Sequence, residues 1–275
     1  MTETETKIFS PEKLDELSSK NTWAIDVDDC IYDIAYGLHS YIKQNIVRTY
    51  NSIAQHDPDR QAIVQTLSNI LKTQNITIAD PQKISILELG SAFPPIVRTL
   101  NEVKNSNFFE YLDQFYGDKY DKIEPDTNLV HAFSIAHKKG ININIYTNGP
   151  SSPEEGISSH LQKILHQRGF KDHMIEHLRK KTYDLLMQIR DGYGKPSPMS
   201  MQNFFKFSGA KPEETLMADD SLQNLKTASD FGVAPIWTWT SDQKPIDTDI
   251  EIAKNINAPR VRKTGAALLE IALAH

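Results

Sequence analysis

Apolar positions fall into two rhythms along this chain. From Thr22 to Val27 they form a compact β-prone run, Thr-Trp-Ala-Ile-Asp-Val, which predicts a buried strand ending at a group of carboxylates. Between Tyr32 and about Phe115 they recur at three and four, as Leu38, Tyr41, Ile42 and Ile46, then Ile63, Leu67, Ile70 and Leu71. That spacing stacks them on helix faces, with Asp57-Pro58 and Asp80-Pro81 as natural breaks.

Beyond Pro125 helices and strands alternate. Leu129 to Lys139 reads as a helix closed by Gly140, and the strictly alternating Ile141 to Tyr146 as a strand. Helical stretches follow at about 157–168 and 172–184, then a short apolar run from Leu185 to Ile189. A helix from Pro198 to Ser208, a strand from Glu214 to Ala218, a helix from Leu222 to Phe231 and a strand from Val233 to Trp237 complete the alternation. Before all of this, residues 1–9 read as a flexible lead. Ser10-Pro11-Glu12 then opens a short helix to about Ser19 with an N-cap, an N1 proline and an early acid. Gly265 to Leu273 predicts a C-terminal helix packed on the core.

Strands alternating with helices imply an α/β fold with a parallel, Rossmann-like sheet. The first strand is separated from the others by a long helical stretch. Residues 1–31 and 120–275 are therefore expected to form the core, and 32–119 an inserted helical cap.

Composition removes several function classes. A net charge of −6 over 275 residues disfavours a nucleic-acid backbone as partner, although a few cations in a cleft can still receive a small anion. The single cysteine, Cys30, excludes an intrachain disulfide framework and fits a reducing compartment. No apolar run approaches the ~20 residues of a membrane span. The acidic, polar start, Met1 to Lys7, lacks the features of a signal peptide, so a cytoplasmic protein is expected. Monomer and homo-oligomer stay open.

In open α/β sheets, ligands gather at the carboxyl ends of the strands. Polar groups sit where four predicted elements end or turn: Asp26, Asp28 and Asp29 after the first strand; Thr147-Asn148 after the alternating strand; Lys195 before a helix; and Asp219-Asp220 after the next strand. Each alone has a plainer reading. Thr147-Asn148-Gly149 is good turn chemistry, Gly194-Lys195-Pro196 suits a solvent loop, and Asp219-Asp220-Ser221 can N-cap the helix at Leu222. Their joint placement is the signal.

Ala24-Ile-Asp-Val-Asp-Asp-Cys-Ile-Tyr32 resembles the first motif of the haloacid dehalogenase superfamily. Ile145-Tyr-Thr-Asn-Gly149 resembles the second, Gly194-Lys195-Pro196 the third, and Leu216-Met-Ala-Asp-Asp-Ser-Leu-Gln-Asn224 the fourth, in the right order. The resemblance implies a phosphohydrolase in which Asp26 accepts the phosphoryl group and Asp28 serves as general acid and base. Mg²⁺ would be held by Asp26, the Asp28 carbonyl and Asp219, with Asp220 behind them. Lys195 would offset charge, and Thr147 with Asn148 would bind a small phosphorylated metabolite. A phosphomutase, a dehalogenase of the same scaffold, or a binding or regulatory protein with little turnover are the rivals.

Asp-Asp-Cys-Ile-Tyr32, Lys122-Ile-Glu-Pro-Asp126 and, loosely, Gly90-Ser-Ala-Phe93 resemble the pyrimidine 5′-nucleotidase-like group, which implies a nucleoside monophosphate. Tyr32, Tyr36 and the segment near Gly90 are then candidates to line the cap. The chain departs from the pattern at Cys30, where Thr is usual, and at Asp29, where Asn or Gly is common. The interval from Asn148 to Lys195 is also longer. It holds His160, His166, His173 and His177, of which the last two have the i, i+4 spacing of zinc ligands, though a solvated surface is the plainer reading. Trp237, Trp239 and Pro235 read as strand and edge packing.

Overall fold

The computed structural model describes residues 8–32, 120, 123–148, 160–184, 187–188, 191, 193–239 and 245–275. The cap expected at 32–119 lies outside the described residues except for Tyr32. Leu185, Ile189 and the start of the helix expected at 157 lie outside them too.

Six strands form one parallel sheet: β1 (Thr22–Ile25), β2 (Asn142–Tyr146), β3 (Thr182–Tyr183), β4 (Thr215–Asp219), β5 (Ala234–Thr238) and β6 (Arg260–Val261). Their spatial order is β3-β2-β1-β4-β5-β6. The chain thus winds one way from β1 to β3, returns to the other side of β1, and winds the opposite way to β6. The switch point lies between β1 and β4, where open α/β sheets leave a crevice.

Among the described residues the helices are α1 (Pro11–Ser18), α2 (Thr127–Lys138), α3 (His160–Gln167), α4 (Asp172–Lys180), α5 (Pro198–Ser208), α6 (Leu222–Asp230), α7 (Asp247–Asn255) and α8 (Thr264–Ala274). Period-two alternation sorts the strand side chains between two cores. Trp23, Ile25, Ile143, Ile145, Leu216 and Ile236 pack with Leu17, Phe133, Ile164, Leu178 and Leu268, from α1, α2, α3, α4 and α8. Ala24, Tyr146, Met217 and Trp237 face the other way, toward Phe204, Leu225 and Ala253 of α5, α6 and α7. Both faces are covered, which explains why the strands read as compact apolar runs.

Local chemistry fixes the ends of these elements. The Ser10 side chain accepts from the Lys13 N–H and Pro11 occupies the first turn of α1, as the sequence predicts. Gly140 follows α2 at φ 79, a left-handed position that favours glycine. Gly265 answers a different need, because a Cβ there would stand 2.6 Å from an Asp126 carboxylate oxygen and 2.7 Å from the Leu129 nitrogen. Asp126 is the N-cap of α2, so the missing side chain lets α8 reach that cap. Pro235 is tolerated in β5 because alternate N–H groups, those of Trp237 and Trp239, point to the β6 side. Pro235 faces the same way before β6 begins, so no ladder bond is lost.

Two regions differ from expectation. The helix predicted over 172–184 stops at Lys180, and Thr182–Tyr183 pair with Ile145 and Tyr146 as the edge strand β3. Thr182 is β-branched and Tyr183 aromatic, and both bury their side chains against β2, a packing gain that outweighs continuing the helix. The elements α7 and β6 carry no prediction at all. Among the described residues, no helix is long and apolar enough to cross a membrane.

Candidate active site

Register brings the motif residues together. Ile25 lies level with Ala218 on one side and Ile145 on the other. Asp26, Asp219 and Thr147 therefore emerge at the same end of three adjacent strands. The Asp26 N–H donates to the Ala218 carbonyl at 2.9 Å, which carries the β1–β4 ladder up to the nucleophile candidate itself.

After Asp26 the chain curls tightly. The Val27 carbonyl accepts from the N–H groups of Cys30, Ile31 and Tyr32, at 3.3, 2.9 and 3.4 Å. Asp29 sits at φ 54, a left-handed conformation that Asn, Asp and Gly accept with least strain. That suits the aspartate at this position. The curl returns Tyr32 beneath Asp28, and its hydroxyl donates to Asp28 Oδ1. Cys30 is buried with Sγ 3.0 Å from Thr238 Oγ1. Burial and the neighbouring Asp26, Asp219 and Asp220 push its thiol well up, so it acts as a small filler rather than a reactive group.

Lys195 is almost fully buried and bridges two strands. Its Nζ donates to Asp26 Oδ1 at 2.8 Å and to Asp219 Oδ2 at 2.7 Å, and stands 5.2 Å from the centre of the Tyr146 ring. Burial alone would lower its pKa, but Asp219 and Asp26 outweigh burial and the net direction is up. Asp219 Oδ1 accepts from the Ser221 N–H and from Asn224 Nδ2, both at 2.9 Å. Ser221 is the N-cap of α6, with its own oxygen facing the Asn224 N–H, so capping and carboxylate anchoring share one turn. Asp220 turns its carbonyl to the Trp237 indole N–H at 3.1 Å.

The carboxylates crowd one another. Burial raises Asp26 to about 7, partly offset by Lys195 and reinforced by Asp219 and Asp28. Burial also raises Asp28, against the Tyr32 hydrogen bond, and it raises Asp220 well up with help from Asp219 and Asp26. Among the described residues, the one buried ammonium, that of Lys195, does not balance this many carboxylates. The imbalance calls for a further cation.

Asp26, Asp219 and Asp220 can supply it with ligands, each offering a carboxylate oxygen within 4.8 Å of the others. An all-carboxylate set suits a hard cation such as Mg²⁺. The histidines give no such cluster among the described residues. His177 instead packs its ring 4.5 Å from that of His137, and His166 lies 3.7 Å from exposed Asp172.

Thr147 is buried, its N–H donating to the Tyr183 carbonyl at 3.2 Å. Asn148 uses its amide on the backbone of Lys195, accepting from the N–H and donating to the carbonyl, each at 3.2 Å. Gly149 lies outside the described residues. Sequence reading missed two side chains that complete this arrangement. Asn224 follows Asp219 by less than two helical turns, in the run that carries the fourth motif. Gln188 was visible only as the one polar residue in Leu185-Leu-Met-Gln-Ile189.

Trp237 and Trp239 pack edge to face at 5.2 Å within the strand end, consistent with a structural role.

Comparison with curated proteins finds no match. Solved structures do resemble the chain. A hydrolase from Pseudomonas syringae shares 14% identity, covering 90% of this chain and 96% of its own, with a TM-score of 0.52. A HAD family hydrolase from Deinococcus radiodurans R1, with bound phosphate and sodium, shares 14% identity over 94% and 97%, with a TM-score of 0.49. L-2-haloacid dehalogenase from Xanthobacter autotrophicus shares 14% over 90% and 97%, with a TM-score of 0.47. At these identities the likeness is one of fold. The haloacid dehalogenase-like hydrolase family model matches residues 21–232, a span that contains all four motifs, and the chain belongs to that family.

Proposed function

We propose that this hydrolase cleaves phosphate monoesters through an aspartyl-phosphate on Asp26. One observation carries the reading: buried Asp26 and Asp219, bridged by Lys195, with half-buried Asp220 grouped with them and Asp28 nearby. An attack on carbon needs a carboxylate but not this acidic cluster. A phosphoryl group bearing two negative charges needs a strong cation to approach it.

Mg²⁺, held by Asp26, Asp219 and Asp220, would neutralise phosphoryl oxygens and let Asp26 ionise there. The Asp26 carboxylate then attacks phosphorus and the ester P–O bond breaks. Asp28, whose raised pKa favours its protonated form, gives its proton to the leaving oxygen. The Tyr32 hydroxyl fixes that carboxyl in place. In the second half, ionised Asp28 takes a proton from water, whose oxygen attacks the phosphorus. Inorganic phosphate leaves and Asp26 is restored. Lys195 stays protonated throughout and compensates charge on Asp26 and Asp219.

The resemblance of Asp28-Asp-Cys-Ile-Tyr32 and Lys122 to Asp126 to the pyrimidine 5′-nucleotidase-like group supports a nucleoside monophosphate as substrate. A cap at 32–119 and a cytoplasmic setting belong to the same reading.

The test measures phosphate release from nucleoside monophosphates, sugar phosphates and an aryl phosphate, and halide release from a 2-haloacid, with Mg²⁺ or EDTA. Mg²⁺-dependent phosphate release without halide release supports the proposal. Halide release that ignores EDTA would replace it with a dehalogenase. Neither product would leave a binding or regulatory protein.

A further inference from the structure

We propose that Gln188 is a positioning residue that fixes the catalytic lysine and the loop after β2 as one unit. Its amide is fully buried and spans the two segments: Nε2 donates to the Thr147 carbonyl at 2.6 Å, and Oε1 accepts from the Lys195 N–H at 3.1 Å. A backbone carbonyl only accepts and an N–H only donates, so the orientation of this amide is forced by its partners. The Lys195 N–H is shared with Asn148 Oδ1, and Asn148 Nδ2 reaches the Lys195 carbonyl. Two side-chain amides therefore hold the backbone of Lys195, its N–H by both and its carbonyl by Asn148.

The segment around Gln188 is built to aim it. Asp184 Oδ1 accepts from the Met187 N–H and the Asp184 carbonyl from the Gln188 N–H, at 3.1 and 3.0 Å. The Gln188 carbonyl accepts from Tyr193 at 3.1 Å, and the Tyr183 hydroxyl donates to Asp191. These residues lie between β3 and Lys195, inside the interval that is longer than the family pattern.

The position has two consequences. Lys195 carries its charge on a flexible four-carbon stem, so placing Nζ between Asp26 and Asp219 requires a fixed backbone. A trans peptide is planar, so pinning the Thr147 carbonyl also fixes the Asn148 N–H, which points the opposite way. That N–H becomes a preset donor for a phosphoryl oxygen. This role rests on the phosphohydrolase reading, whereas the effect on Lys195 does not.

Gln188→Leu and Gln188→Glu test it in the full-length protein. With an aryl phosphate and saturating Mg²⁺, Gln188→Leu should lower kcat by roughly 30-fold and change KM by less than about 3-fold. Gln188→Glu differs by one group and separates positioning from folding. When ionised it presents only acceptors to the Thr147 carbonyl; when protonated it regains the donor that Gln supplies. Its kcat relative to wild type should therefore rise at least about fivefold between pH 7.5 and 5.5. A kcat for Gln188→Leu within about threefold of wild type, or a pH-independent ratio for Gln188→Glu, would overturn the proposal.

If wild type itself releases no phosphate, the phosphohydrolase reading fails and the clamp is judged by chemistry at the lysine. Amine acylation of Lys195, read by peptide mass spectrometry, should be at least about fivefold faster in either variant than in wild type. Equal protection of Lys195 in all three proteins would show that Gln188 does not hold it.

Discussion

The loops after β1 and β4 leave neighbouring strands at one level and share one lysine, yet they treat their carboxylates differently. Asp219 is fully engaged: Ser221 and Asn224 donate to one oxygen and Lys195 to the other. Among the described residues, Lys195 is the one hydrogen-bond donor to the Asp26 side chain. Both are buried. Charge-assisted hydrogen bonds to both oxygens fix a carboxylate's position and orientation. The β4 loop thus builds an anchor, and the β1 loop leaves a carboxylate short of donors, with its pKa at about 7. A nucleophile must be free to form a new bond, and a ligand anchor must not move.

Breaking each side separates the roles. Asp26→Asn should reduce kcat by at least about 10⁴-fold at any Mg²⁺ concentration. Asp219→Asn should act through metal affinity, so steady-state rates measured across a Mg²⁺ titration should recover in part at high metal. Equal, metal-independent losses in both would erase the distinction.

Lys195→Met strips both carboxylates of their shared cation. Removing one partner of a buried ion pair costs about 3–5 kcal/mol, and urea unfolding without metal at pH 7.5 should show a loss of that order. Acidification should narrow the difference from wild type as Asp26 takes up a proton.

Asn224→Leu removes a donor from Asp219 alone and should weaken Mg²⁺ binding about 10- to 100-fold by calorimetry. It should leave the Asp26 chemistry intact once metal saturates.

The smallest effect is pH dependence. The folded pKa of Asp26 is raised above its unfolded value. Its contribution to apo-protein stability is therefore fully present below pH 3.8 and is lost as pH rises through about 7. Metal binding runs the other way, since the ligand must be ionised. Mg²⁺ affinity should fall by at least about tenfold for each unit below pH 7, because Asp220 is raised as well, read by titration at several pH values.

The motifs after β1, β2 and β4 were legible because each combines a short apolar run with a polar residue that backbone geometry must deliver to the same sheet edge. The helix from Pro198 to Ser208 was legible for local reasons, an N-cap serine, an N1 proline and Gly209 at φ 67. The strand β3 was not, because two residues carry too little pattern and their pairing with β2 is a tertiary choice. Neither was β6, for the same reason. Asn148 was expected to meet the phosphoryl group; that its side-chain amide also holds the Lys195 backbone was not legible. Gln188 illustrates the limit: a buried amide linking segments 41 residues apart has no local signature beyond being polar in an apolar run.

The central claim is a covalent bond between Asp26 and phosphorus, and trapping tests it most directly. Enzyme quenched during turnover of an aryl phosphate is reduced with borohydride, which converts an acyl-phosphate to homoserine, and its peptides are sequenced by mass spectrometry. The account predicts homoserine at position 26 and at no other aspartate. Homoserine at position 28 or 219, or an unmodified Asp26 in enzyme that is turning over, would contradict it.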